Sequence, residues 1–126
     1  MKNIIHTDKA PKAIGPYSQG ILKNNMLFVS GQIPLAPESM QIVSDDIREQ
    51  TKQVLANLQA VITEAGFTME DIVKTTIYLT SMTDFALVNE VYSGVFSHNP
   101  PARATVAVSG LPKNVRIEID AIAYTN

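Results

Sequence analysis

Apolar positions recur along this chain with two different periods, and the switches between them order its elements. From Ile47 onward Val54, Leu55, Leu58, Val61, Ile62 and Ala65 fall three and four residues apart, the spacing that lines one face of a helix. Ser44 is the candidate N-cap, Asp45 and Asp46 complement the positive helix end in the first turn, and Gly66 is the stop. Phe85, Val88, Tyr92, Val95 and Phe96 repeat the helical pattern after Thr83 and Asp84, either of which can cap by accepting a backbone N–H bond. Between these helices, IVKTTIYLT (Ile72 to Thr80) is dense in β-branched and aromatic residues, whose restricted χ1 rotamers suit an extended chain. ILKNNMLFVS (Ile21 to Ser30) reads as a hairpin turning at Asn24-Asn25, because asparagine tolerates the positive φ of tight turns. Thr105 to Val108 and Val115 to Tyr124 close the chain as strands around the turn-prone SGLPKN.

The order strand, strand, helix, strand, helix, strand, strand predicts an α+β fold with two helices on one face of a sheet. No internal repeat, low-complexity tract or linker composition interrupts it, and 126 residues fit a single domain over 1–126. The last two strands are apolar on both sides: Val106 and Val108 alternate with Ala107, and Ile122 shares a face with Glu118 and Asp120. Two helices leave one sheet face open, and apolar burial is worth about 25 cal/mol per Å². An obligate homo-oligomer is therefore expected.

Composition narrows the function classes. No apolar run approaches the roughly 20 residues of a membrane span, and the amino terminus lacks the apolar stretch of a secretory signal, so a soluble cytoplasmic protein is expected. The absence of cysteine removes disulfides, thiolate catalysis and zinc–cysteine sites. Ten basic residues against twelve acidic ones, the basic ones scattered, argue against a nucleic-acid partner. His6 and His98 lack metal-ligand spacing, so no metal is expected, and without a P-loop or a G-x-G-x-x-G turn no cofactor is indicated.

The candidate chemistry lies in PARATVAVSGLPKNVRIEIDAIA (Pro101 to Ala123). Arg103 follows a stiff Pro100-Pro101-Ala102 approach, and its planar fork can bind a carboxylate bidentately. A surface arginine paired with a neighbouring acid is the commoner arrangement, but the small neighbours Ala102, Ala104, Thr105 and Ala107 leave room for a ligand. Glu118 and Asp120 project from one face of the last strand, where desolvation can raise a carboxyl pKa into the range of a base acting on water. The expectation is an arginine poised opposite an acid in one small pocket. A solvated polar face on an edge strand is the competing reading of I-E-I-D. Tyr17 in AIGPYSQ offers a ring wall and a hydroxyl, or else packs at a rim. Ser30-Gly31 ends a strand where backbone N–H groups meet ligands, and no histidine is placed to make Ser30 a nucleophile. Asn89 stands one turn after Phe85, able to orient a ligand or to bond across a subunit boundary.

AIGPYSQG, FVSGQIPL, DIVKTTIYL, DFALVNEVY, PPARATV and LPKNVRIEIDAIA, in this order, resemble the Rid reactive-intermediate deaminases, also called the YjgF or translation-inhibitor L-PSP family, and within it the RidA subgroup. The resemblance covers nearly the whole chain. It implies a chorismate-mutase-like fold, a mixed β-sheet with two helices on one face, assembled as a homotrimer with ligand clefts between subunits. It implies cofactor-independent hydrolysis of 2-imino acids such as 2-iminobutanoate and 2-iminopropanoate, in exchange with their enamines, to 2-oxo acids and ammonia. Arg103 then holds the substrate carboxylate, Glu118 positions the hydrolytic water, and Tyr17, Ser30, Gly31 and Asn89 line the cleft. Thr105 stands where many RidA members carry cysteine, so its contact with ligand must be through a hydroxyl. Asp120 replaces the usual second glutamate, and Met40 occupies a turn where glycine is common. Two other functions remain in play: an RNA-cleaving translation inhibitor, which needs a basic groove, and a sensor that binds 2-oxo acids without turnover.

Overall fold

The computed structural model describes residues 1–126. Six strands and two helices follow in the order β1 (Asn3–Ile5), β2 (Gly20–Lys23), β3 (Met26–Gln32), α1 (Ile47–Glu64), β4 (Ile72–Leu79), α2 (Phe85–Val95), β5 (Ala102–Ala107) and β6 (Ile117–Tyr124). They form one mixed sheet ordered β1-β2-β3-β6-β4-β5, in which only β4 and β5 run parallel, joined by the α2 crossover. This is the α+β arrangement expected. The core lies between the sheet and the helices, where Val54, Leu58, Val61 and Ile62 of α1 meet Ile77, Leu79, Ile117 and Ile119 of the sheet. No helix is long and apolar enough to cross a membrane.

The local signals act as elementary chemistry dictates, with some shifts. The β2–β3 hairpin closes at Lys23 and Met26, with Asn24 at φ 56°. Gly66, at φ 84°, ends α1: its N–H bonds Thr63 O while that of Phe67 bonds Ile62 O, the paired bonds of a Schellman cap. The N-cap of α1 is Asp46 rather than Ser44: Asp46 Oδ2 accepts from the Glu49 N–H, and Ser44 Oγ accepts from the Asp46 N–H one step earlier. Neither Thr83 nor Asp84 caps α2 with its side chain. Asp84 occupies the cap position, but its carboxylate is drawn to Arg116, 2.6 Å away. Strand β1 is too short for its period to register in the sequence, and β5 begins three residues earlier than its β-branched run, at Ala102, so that Arg103 lies inside the strand.

Cross-strand register divides the sheet into two faces. Val29, Ala121, Thr75 and Arg103 form one row on the helix side. Ile4, Ile21, Phe28 and Ile122 form a row on the other side, and Glu118, Tyr78 and Val106 another. No helix covers that second side: Ile4, Phe28 and Val106 are exposed, as the apolar alternation required.

Candidate active site

A register shift between β3 and β6 shapes the first group of site residues. Val29 faces Ala121 and Gln32 faces Ile119, so three steps on β3 match two on β6, leaving one extra residue around Ser30-Gly31. A cavity of about 480 Å³ opens there, and Tyr17, Ser30, Gly31 and Glu118 all line it. Gly31 is required by contact: a methyl on its Cα would fall 2.7 Å from Glu118 Cδ. The carboxyl therefore lies directly over the bulge. Burial pushes the Glu118 pKa up, and the neighbouring negative charge of Asp120 adds to the rise. Asp120 in turn accepts a 3.1 Å hydrogen bond from the Tyr78 hydroxyl.

The loop carrying Tyr17 is held by buried Gln19. Its Oε1 accepts from the Thr7 N–H at 2.7 Å, and its Nε2 donates to Thr7 O at 3.0 Å and Pro11 O at 2.8 Å. Ser30 fastens the same loop to β3, its hydroxyl donating to Ser18 O and its N–H to Gln19 O. The single hydroxyl proton of Ser30 is thus committed to the backbone, and what it can offer a ligand is an acceptor lone pair. On the far wall, Asn57 of α1 donates to Ile33 O and Leu35 O, fixing two further lining residues. Met40 and Lys113 also line the cavity, both at positive φ, 61° and 56°. Met40 thus adopts the conformation for which glycine is the usual choice.

Arg103 and Asn89 make up a second group. Arg103 Nη1 donates to Asn89 Oδ1 at 2.7 Å, and the guanidinium carbon stands 5.5 Å from the Phe85 ring centroid and 5.0 Å from that of Tyr92. Arg103 takes part in none of the four ion pairs, so an exposed, fixed cation keeps its charge uncompensated. Two residues further along the same strand face, Thr105 Oγ1 is buried without a hydrogen-bond partner.

The two groups do not meet within one protomer. Arg103 belongs to the helix side of the sheet and Glu118 to the uncovered side, and the cavity beside Glu118 includes neither Arg103, Asn89 nor Thr105. Within a single protomer, then, the arginine and the acid do not face each other across one pocket. Residue-type reasoning also passes over Phe85 and Tyr92 as partners of the arginine. Their signal is present: Phe85, Asn89 and Tyr92 lie at i, i+4 and i+7, one stripe of a helix. Gln19 and Asn57 carry no comparable signal, since their partners are loop carbonyls distant in sequence.

This fold and site have well-defined relatives. A RutC family protein of Pyrococcus abyssi is 55% identical over 123 residues, covering 98% of this chain and 97% of the relative. The human 2-iminobutanoate/2-iminopropanoate deaminase is 46% identical, covering 98% of this chain and 90% of its own. Among solved structures, Escherichia coli TdcF with bound serine superposes with a TM-score of 0.95 at 42% identity, covering 98% of this chain and 99% of that one. A profile described as endoribonuclease L-PSP matches residues 7–125. With that match over nearly its whole length and relatives bearing Rid, RutC and deaminase names, the chain belongs to the L-PSP family, the Rid proteins.

Proposed function

We propose that this protein hydrolyses small 2-imino acids to 2-oxo acids and ammonia, in clefts formed where the Arg103 group of one subunit meets the Glu118 cavity of the next in a homotrimer. The observation that carries this reading is the unpaired, immobilised guanidinium of Arg103, a receptor for a carboxylate that the protomer itself does not supply. The name of the human relative supports the imine as substrate, and the serine held by TdcF supports a small amino-acid-like anion as ligand.

In the reaction, Arg103 fixes the substrate carboxylate while water attacks the iminium carbon. Glu118 in its ionised form accepts a proton from that water as the carbon–oxygen bond forms. The resulting carbinolamine takes the proton back on nitrogen, the carbon–nitrogen bond breaks, and the hydroxyl proton leaves with ammonia as ammonium. Tyr17 and the Gly31 backbone wall the cleft, and Thr105 Oγ1, buried with its hydroxyl unbonded, donates to the anion once a local shift uncovers it. No step needs a cofactor.

The test generates 2-iminobutanoate in situ with an amino-acid oxidase and follows 2-oxobutanoate. Wild type accelerates its appearance, and Arg103→Ala, at a cost of roughly 2 to 5 kcal/mol in ligand interaction, does not. Near-normal hydrolysis by Arg103→Ala sinks the assignment, and binding of 2-oxobutanoate without any acceleration identifies a sensor instead.

A further inference from the structure

An arginine side chain on an exposed edge strand ordinarily samples many rotamers, and ordering it on a ligand costs entropy. Arg103 is exposed, yet three residues of one helical stripe constrain it. Phe85 and Tyr92 lie two turns apart on α2 with Asn89 between them, and the guanidinium is within cation–π range of both rings. Tyr92 is itself fixed, being buried, with its hydroxyl 2.7 Å from Thr75 Oγ1 and its ring 4.6 Å from that of Phe96. Thr75 pairs with Arg103 across β4 and β5, so the strand that carries the arginine and the ring beneath it are anchored at the same point. Asn89 is neutral. Its carbonyl takes one of the five guanidinium N–H donors without cancelling the charge, and the remaining donors stay available.

Resting on the reading of Arg103 as the carboxylate clamp, we infer that Phe85, Asn89 and Tyr92 form a cradle that pre-orients its guanidinium, and that Asn89 is a positioning residue acting through Arg103. A neutral acceptor and two π faces are the supports that hold a cation in place and leave it hungry for an anion. A carboxylate at position 89 would hold it as firmly and neutralise it. The cradle thereby sets the affinity for the anionic end of the substrate, leaving the proton transfers at Glu118 untouched.

The experiment compares Asn89→Asp, Asn89→Ala, Phe85→Leu and Tyr92→Phe in two ways: affinity for 2-oxobutanoate by calorimetry, and KM against kcat in the hydrolysis of the imine generated as above. Asn89→Asp is expected to raise Kd and KM by at least about tenfold, through the rival charge, with a far smaller change in kcat. Phe85→Leu is expected to raise them about five- to tenfold, and Tyr92→Phe, which keeps the ring but cuts its tie to Thr75, to raise them by a smaller factor of about two to three. In an Arg103→Lys background, Asn89→Ala should add almost nothing, whereas an additive loss shows that Asn89 touches substrate on its own account and overturns the inference. Should Phe85→Leu unfold the chain, the near-isosteric Asn89→Asp decides alone. Unchanged binding by Arg103→Ala defeats the clamp reading itself; loss of binding there with wild-type affinity in Asn89→Asp and Phe85→Leu defeats only the cradle.

Discussion

Two carboxyl groups two residues apart on one strand face lie close enough to interact, and at Glu118 burial acts in the same direction as that interaction. Its pKa is raised by burial first and by Asp120 second. An acid whose folded pKa lies above its unfolded value binds protons more tightly when folded, so stability falls as pH climbs from the ordinary carboxylate range through the raised value. Glu118→Gln should therefore abolish that part of the pH dependence and stabilise the protein at neutral pH, measured by urea unfolding across pH, while hydrolysis is lost. Asp120→Asn removes one cause of the shift. The acidic limb of its kcat/KM profile should move to lower pH, since the ionised base then persists further into acid. An unmoved limb means that another group titrates. Gly31 supplies a steric test of the same carboxyl: Gly31→Ala forces the Glu118 side chain off the bulge. Because only that side chain must yield, melting should change little while turnover falls by one or more orders of magnitude.

Elements place these residues through contacts of unequal legibility. Both helices and the hairpin are written in local pattern, because a stripe of Val54, Leu58 and Val61 or an Asn24 turn declares itself within a few residues. Pairing partners are not local: that β5 runs parallel to β4 while β6 inserts between β3 and β4 depends on the crossover through α2, and this register decides which sheet face each side chain takes. Arg103 and Glu118 are thus readable as residues but not as occupants of opposite faces. The β3 bulge and the Gln19 clamp stay hidden for the same reason, since each joins segments whose sequences give no sign of one another. Replacing Gln19 by Met leaves the Thr7 and Pro11 backbone groups without their partners, at a cost of about 1 to 3 kcal/mol. Faster hydrogen exchange over residues 7–17, with α1 unaffected, is the expected signature, and uniform loss of protection would mean that the clamp supports the whole fold instead.

At the scale of the whole molecule, the proposed homotrimer would answer both the uncovered side of the sheet and the divided site. Ile4, Phe28 and Val106 leave apolar surface that a further copy of the chain can cover, and Arg103 has no carboxylate partner within its own protomer. If each cleft takes its arginine from one subunit and its glutamate from the next, Arg103→Ala and Glu118→Ala chains are each inactive alone yet complementary when assembled together. In a cyclic trimer drawn at random from equal amounts of both, a given cleft is intact when its arginine donor is the Glu118→Ala chain and its glutamate donor the Arg103→Ala chain. That combination arises for about one cleft in four, so co-refolded variants should regain about a quarter of the wild-type rate, whereas separately folded variants mixed without exchange should regain none. A site confined to one protomer predicts no recovery under either protocol, because every chain then carries a lesion in its own pocket. Subunit mixing, with trimer content checked by analytical ultracentrifugation, thus separates an inter-subunit cleft from an intramolecular one by the amount of activity that returns.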